Sequence, residues 1–216
     1  MSETSLSSTP ATAEAPLVIE PCANCLKRPE LCVCASIKPL KTRPQVVILQ
    51  HPQEPDKDLG TARIAHLALP NSILKIGLSW PNLKKVLGRE VQSSRWAVLY
   101  LGSGIKGKVD PRDYPATTGA LRFVSKQGSA VAPPTGKGED KIEGILILDG
   151  TWSQAKTLWW RNAWLLKLRR VVLVPQHKSL YRELRKEPRR ECLSTNESIA
   201  ESLESLGESK EMTEEL

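Results

Sequence analysis

Ile145-Leu146-Ile147-Leu148 runs without a break into Asp149-Gly150-Thr151-Trp152. Four consecutive aliphatic residues predict a strand that is buried on both faces of a sheet. Gly150 permits a sharp turn, and Thr151 with Gln154 three residues later forms the capping-box pattern that begins a helix. The sequence therefore predicts a strand–turn–helix unit with Asp149 at the carboxyl end of the strand.

Further apolar runs place this unit in an α/β fold. Strands alternate with helices along the chain, which predicts a mostly parallel sheet covered on both faces. Ligands of such sheets bind beyond the carboxyl ends of the strands, where Gly102 and Asp149 are expected to lie. The additional strands are predicted at 45–50, 72–78, 96–101 and 171–174, and the helices at 59–69, 82–88, from 152 and from about 195.

Composition indicates a soluble globular protein of 216 residues, with 40% hydrophobic and 25% charged residues. No apolar run approaches the roughly eighteen residues that span a bilayer. The first twenty residues lack Lys and Arg, which argues against a secretory signal and favours a cytoplasmic protein. The sequence leaves the oligomeric state open. We expect a disordered leader at 1–20, a cysteine-rich knuckle at 21–44, an α/β domain at 45–200 and an acidic tail at 201–216, with a mobile loop at 125–141.

The formal charge of +7 is unevenly distributed. The last sixteen residues hold six Glu and one Lys, so the preceding 200 residues carry +12. A basic body favours a polyanionic partner such as nucleic acid, and a well-solvated surface is the alternative.

Four of the five cysteines fall within thirteen residues, as Cys22-x-x-Cys25 and Cys32-x-Cys34. Four thiolates at this spacing predict a tetrahedral structural Zn²⁺ site with no open position for catalysis. Metal binding would then supply the folding energy of a segment too small to form a core. Reduced thiols in a flexible segment, a redox pair and an iron–sulfur cluster are the alternatives.

Four tryptophans fall at helical spacings from the Asp149 turn onward, which predicts that all lie on the helix that begins there: Trp152, Trp159, Trp160 and Trp164. Their spacing predicts that Trp159 and Trp164 are packing residues, whereas Trp152 is close enough to the turn to border a ligand. Asp149 could instead be only a turn-forming residue, and Thr151 only a helix cap.

A basic segment follows the strand at 171–174. Five cations lie within nine residues and can hold phosphates or a carboxylate, although a solvated face partly neutralised by neighbouring Glu residues is the alternative. Ser194 and Thr195 then offer hydroxyls or a helix N-terminus to an anion, and Glu197 lies in the first helical turn. The five cations are Arg182, Arg185, Lys186, Arg189 and Arg190.

These elements, in this order, resemble the DTW domain family of tRNA-uridine aminocarboxypropyltransferases. The resemblance covers about residues 20–200. Its motifs are the four cysteines, Leu49-Gln50-His51-Pro52, Gly60-Thr61-Ala62-Arg63, Leu148-Asp149-Gly150-Thr151-Trp152, Arg182 with Arg185-Lys186-Glu187-Pro188, and Leu193-Ser194-Thr195 with Glu197.

The resemblance implies a fold similar to the knotted SPOUT-like transferases. It also implies S-adenosylmethionine as the donor and transfer of its 3-amino-3-carboxypropyl group to N3 of a uridine in tRNA. We expect Asp149, Thr151 and Trp152 at the catalytic centre, with Asp149 as the general base. The residues expected to bind the donor are Leu101, Gly102, Leu148, Asp149, Ser194, Thr195 and Glu197, and those expected to bind RNA are Arg182, Arg185, Lys186 and Arg189.

Three other functions fit parts of the sequence. A methyltransferase of the same fold would use the same donor but transfer its methyl group. A zinc-containing RNA-binding protein without catalysis would use the basic body and the knuckle. Aminocarboxypropylation of ribosomal RNA is the third.

Overall fold

The computed structural model describes residues 20–99, 119–175, 177–180 and 193–216. Its strands are β1 (Gln45–Gln50), β2 (Ile73–Ile76), β3 (Trp96–Leu99), β4 (Leu121–Val124), β5 (Gly144–Asp149) and β6 (Arg169–Leu173). Its α-helices are α1 (Ala62–Ala68), α2 (Leu83–Leu87), α3 (Trp152–Arg161), α4 (Thr195–Ser205) and α5 (Lys210–Glu214). No described helix is long and apolar enough to span a membrane.

The six strands form one sheet in the order β2-β1-β5-β3-β6-β4. All neighbouring pairs are parallel except β4 with β6, which is antiparallel. The predicted α/β fold with a mostly parallel sheet is therefore confirmed for the described residues. Because β1 and β5 are adjacent, parallel and interior strands, their carboxyl ends lie side by side, and we call this end of the sheet its carboxyl edge.

Alternating side chains of the central strands enter two apolar clusters on opposite faces of the sheet. On one face, Ile48 and Ile147 pack with the inward residues of α1 and α4. On the other, Leu49 and Leu148 pack with those of α2 and α3. Coverage of both faces explains why these strands are apolar runs rather than alternating sequences.

The carboxyl-terminal segment is more ordered than the sequence suggests. The residues predicted as an acidic tail include the end of α4, which continues to Ser205, and all of α5. Leu203 is fully buried, and Met212 and Leu216 pack against the first cluster. The Glu208 carboxylate accepts hydrogen bonds from the backbone and side chain of Arg43. Glu204, Glu211 and Glu214 are exposed on helices whose apolar side chains pack in the core.

Two local predictions also need correction. Strand β4 was not predicted, and it is the antiparallel edge strand that precedes the irregular segment 125–141. Trp164 does not lie on α3, because that helix ends at Arg161 and Trp164 belongs to the 3-10 helix Ala163–Lys167. Its indole nevertheless packs in the core as expected, and its Nε1 donates to the Trp80 carbonyl over 2.9 Å.

Candidate active site

Asp149 lies at the carboxyl end of β5, as predicted. It is directly opposite Gln50, the last residue of β1. Both side chains are more than nine-tenths buried, and Gln50 Nε2 donates a hydrogen bond of 2.9 Å to Asp149 Oδ2. Gln50 therefore fixes one oxygen of the carboxylate at the sheet edge.

The second carboxylate oxygen is held by α4. Thr195 is the first residue of that helix, and its hydroxyl donates to Asp149 Oδ1. The α4 N-terminus consequently faces the carboxylate, where the helix dipole favours negative charge. Ionised carboxylates have about four lone-pair sites, so Asp149 can still accept hydrogen bonds or a proton from a ligand. The structure thus places the predicted residues Asp149 and Thr195 in contact. It also shows that Gln50, which was not predicted for the site, contacts Asp149.

Gly150 makes the turn between β5 and α3 possible. Its φ is 153°, a conformation rarely adopted by residues with a side chain, and an added Cβ would lie 2.9 Å from Gln154 Cβ. The predicted capping box is present, with Thr151 Oγ1 accepting from Gln154 N and Gln154 Oε1 accepting from Thr151 N. Trp152, the first residue of α3, is half-buried beside this turn.

Glu197 completes a second capping box at the start of α4. Its carboxylate accepts hydrogen bonds from Ser194 N at 2.7 Å, Ser179 Oγ at 2.9 Å and Leu180 N at 2.6 Å. Burial raises the pKa of Glu197, but these hydrogen bonds and the one with the Ser194 hydroxyl outweigh burial and lower it overall. Glu197 therefore attaches residues 179–180, which follow β6, to the N-terminus of α4.

Of the remaining residues predicted to bind the donor or RNA, two lie within the described part of the chain. Leu148 is in the core, packed in the second apolar cluster. Ser194 is the N-cap of α4. The others lie outside the described residues and their roles stay predictions: Leu101, Gly102, Arg182, Arg185, Lys186 and Arg189.

The four cysteines of the knuckle converge. Their sulfur atoms all lie within 4.8 Å of one another, with Cys22 and Cys34 3.8 Å apart and Cys25 and Cys32 3.7 Å apart. A tetrahedral Zn²⁺ with Zn–S bonds of about 2.3 Å places its sulfurs about 3.8 Å apart. The thiols therefore have the separation that zinc coordination requires.

The thiols differ in their affinity for protons. Backbone hydrogen bonds from Cys25 and Asn24 lower the pKa of Cys22 to about 6, whereas burial and the neighbouring thiols raise the pKa of Cys34 to about 12. Four crowded sulfurs resist carrying several negative charges without a cation among them. This chemistry also fits a metal site.

Lys27 connects the knuckle to the loop that follows β1. This side chain is 5% exposed, and its Nζ donates to the Lys57 carbonyl in the loop after β1. Burial lowers the Lys27 pKa, while the charges of Asp58, Cys25 and Asp149 oppose that shift. Lys27 was not predicted, because no local sequence pattern indicates that its ammonium is buried against this loop.

The same loop contains a second buried carboxylate that was not predicted. Glu54 is 6% exposed, and its Oε1 has no hydrogen-bond partner among the described residues. The loop begins beside Asp149, because the Asp149 carbonyl accepts from His51 N and the His51 carbonyl accepts from Glu54 N, each over 3.0 Å. A buried carboxylate oxygen without a partner is costly, so a cationic ligand at this position would stabilise it.

The fold defines an α/β protein with a carboxylate-centred candidate site at the carboxyl ends of its parallel strands and a four-cysteine knuckle at its amino-terminal side. Residues 19–216 match the DTW domain, and the chain belongs to that family. No solved structure matches the chain.

Curated relatives carry a functional name. The chain is 28% identical over 187 residues to tRNA-uridine aminocarboxypropyltransferase 2 of Mus musculus, covering 84% of this chain and 55% of that protein. It is 28% identical to the Macaca fascicularis protein of the same name, covering 90% and 59%. Identity to the Drosophila melanogaster protein is 27%, covering 90% and 70%. The chain thus spans little more than half the length of the two mammalian relatives.

Proposed function

We propose that this chain transfers the 3-amino-3-carboxypropyl group of S-adenosylmethionine to N3 of a uridine in tRNA. The observation that carries the proposal is the Asp149 carboxylate, held by Gln50 and Thr195 at the sheet edge where ligands of parallel α/β proteins bind. The names of the DTW relatives supply the donated group and the acceptor class.

Asp149 acts as the general base in this proposal. The N3–H proton of uridine passes to the carboxylate as N3 forms a bond to the γ carbon of the methionine arm. The bond between that carbon and the sulfonium sulfur breaks, and the sulfur keeps the electron pair, which gives methylthioadenosine. Gln50 and Thr195 keep the carboxylate oriented, so that the γ carbon rather than the methyl carbon is aligned with the nucleophile.

Donor recognition is proposed for groups around the same edge. Thr151 and Trp152 shape the pocket beside the turn, and the N-terminal residues Ser194 and Thr195 of α4 face an anionic group. Glu54 provides a buried carboxylate for the positive charge of the donor, which carries a sulfonium and an ammonium. The remaining donor residues proposed are Leu101, Gly102, Leu148 and Glu197.

The acceptor must present N3 free of base pairing, because N3 lies on the Watson–Crick edge. A uridine in a loop, or one flipped out of a stack, meets this condition. Arg182, Arg185, Lys186 and Arg189 are proposed to bind the phosphates around it.

The remaining proposals concern the architecture. The four cysteines bind one structural Zn²⁺, as their sulfur separations support. The parallel sheet is compatible with a knotted SPOUT-like arrangement, which we retain as a proposal. We also propose a cytoplasmic location and the division into leader, knuckle, catalytic domain and carboxyl-terminal segment.

The test incubates the protein with unmodified tRNA and S-adenosylmethionine, then identifies the nucleosides by mass spectrometry. A uridine heavier by the aminocarboxypropyl group is expected from the wild type, and none from Asp149→Asn, with donor binding retained. Asp140→Asn is the matched control, because Asp140 pairs with Arg169 away from the site. A methylated nucleoside would instead indicate the methyltransferase. Absence of donor binding would indicate an RNA-binding protein without catalysis. A modified uridine in ribosomal RNA alone would replace tRNA by ribosomal RNA as the acceptor.

A further inference from the structure

The outer side of α3 carries an exposed tryptophan. The structure describes all six tryptophans of the chain, and only Trp160 is exposed, with 79% of its surface accessible. The opposite side of the helix is buried through Ala155 and Leu158. Packing against the sheet therefore does not explain Trp160. Trp is highly buried on average, so an indole with this exposure marks a candidate contact surface when its surroundings fit a partner.

Three exposed cations lie close to Trp160 along the chain. Lys156 is exposed one helical turn before Trp160, Arg161 follows it directly, and Lys167 is exposed in the next 3-10 helix. None of these three cations forms an ion pair with any described residue. The sequence contains no Asp or Glu from 150 to 182. The surface formed by Lys156, Trp160, Arg161 and Lys167, here called the α3 surface, is therefore aromatic and positively charged.

The α3 surface lies within reach of the candidate active site. Helix α3 begins at Trp152, beside Asp149, and Trp160 is eight residues further along. At 1.5 Å per residue this separation is about 12 Å along the helix axis. One nucleic-acid strand covers that distance with three or four nucleotides at about 3.4 Å each. A strand whose uridine is at Asp149 can thus place a flanking nucleotide on Trp160.

We infer that the α3 surface binds the RNA substrate, with Trp160 stacking on an unpaired base and the three cations contacting adjacent phosphates. The inference rests on the proposed function for the identity of the RNA and extends it to a second contact outside the catalytic centre. Stacking on an aromatic ring and neutralisation of phosphates are the two interactions by which proteins bind unpaired strands. Trp160 is a positioning residue and not a catalytic one, because it determines affinity for RNA and the position of the strand.

The experiment measures binding of unmodified tRNA and steady-state kinetics for the wild type, Trp160→Ala and Trp160→Phe. Trp160→Ala is expected to weaken tRNA binding and raise the KM for tRNA by about tenfold, with kcat at saturating tRNA and donor affinity unchanged. Trp160→Phe, which retains an aromatic face, is expected to recover most of the affinity. Lys156→Gln should reduce the slope of log K against log salt by about one. Val131→Ala, at an exposed apolar residue near β4, is the control.

Two results would overturn the inference. One is unchanged tRNA affinity in Trp160→Ala. The other is a wild-type dimer that becomes a monomer in this variant, which would make the α3 surface an interface between copies of the chain. Failure of the proposed function is distinguishable. If the wild type forms no modified uridine but Trp160→Ala weakens tRNA binding, the RNA-binding role of the α3 surface is supported and the proposed activity is rejected. If the wild type modifies tRNA and the KM for tRNA is unchanged in Trp160→Ala, the proposed activity is supported and the RNA-binding role of the α3 surface is rejected.

Discussion

Gln50 Nε2 donates to Asp149 Oδ2 across two adjacent parallel strands, although 99 residues separate the two in sequence. The contact occurs because β1 and β5 end at the same register position. It makes the orientation of the candidate base dependent on a neutral amide rather than on a cation.

Replacing Gln50 with Leu tests this relationship. The variant removes a buried donor from a carboxylate, so we expect kcat to fall by about 10- to 100-fold with a smaller change in donor affinity. Steady-state kinetics and isothermal calorimetry measure the two quantities. Gln45→Leu changes the same residue type at the opposite end of β1 and should leave turnover intact. Equal losses in both variants would assign the effect to the strand rather than to the contact.

Glu54 is expected to lower stability in exchange for donor binding. Glu54→Gln removes a buried carboxylate whose Oε1 has no partner among the described residues, so we expect the Tm to rise by a few degrees. The affinity for S-adenosylmethionine should fall at the same time. Thermal denaturation and calorimetry provide the two readings. The exposed Glu90→Gln is the control, and donor affinity equal to wild type would exclude Glu54 from the donor site.

The knuckle should bind one zinc ion per chain, measured by elemental analysis. Cys34→Ser should lose most of the zinc and lower the Tm, because the segment depends on the metal for its folding. Donor affinity should also decrease, since Lys27 connects the knuckle to the loop beside Asp149. Cys192→Ser, at the one cysteine outside the knuckle, should retain full zinc content. Less than about half a zinc in the wild type would contradict the assignment.

Gly150→Ala should destabilise the protein by about 2 kcal/mol or more, because the new Cβ combines an unfavourable φ with a close approach to Gln154. Urea denaturation measures the change. Gly136→Ala separates the two causes. Gly136 also has positive φ, at 72°, but an added Cβ meets no atom within 4 Å. A loss at Gly150 no larger than the loss at Gly136 would mean that Gln154 moves aside without cost.

Glu197 should make stability dependent on acid pH. Its folded pKa lies below the usual 4.5, so its contribution is complete above that pH and is lost as the pH falls through the folded value. The difference in unfolding free energy between wild type and Glu197→Gln should therefore shrink below pH 4.5. Glu204→Gln, at an exposed position on the same helix, should show no such trend. Denaturant titrations at several pH values provide the measurement.

Features encoded by neighbouring residues were predicted correctly. The apolar runs of β1 and β5 identified buried strands, because a strand covered on both faces needs apolar side chains on both sides. Asn82 and Gly88 delimit α2 as expected, with Asn82 Oδ1 accepting from Lys85 N and Gly88 in the left-handed conformation. The acidic composition of the last residues was misleading, because burial of Leu203 depends on a few apolar positions and not on the average charge.

Sequence patterns therefore established the parallel α/β class, the Asp149 turn with its capped helix and the four-cysteine cluster, since each depends on residues close together in the chain. The tertiary fold was needed to bring Gln50 and Thr195 to the two oxygens of Asp149. It also directs Lys27 toward the same edge and leaves Trp160 in solvent. These outcomes depend on strand register and helix packing between distant segments, which no local pattern of side chains specifies.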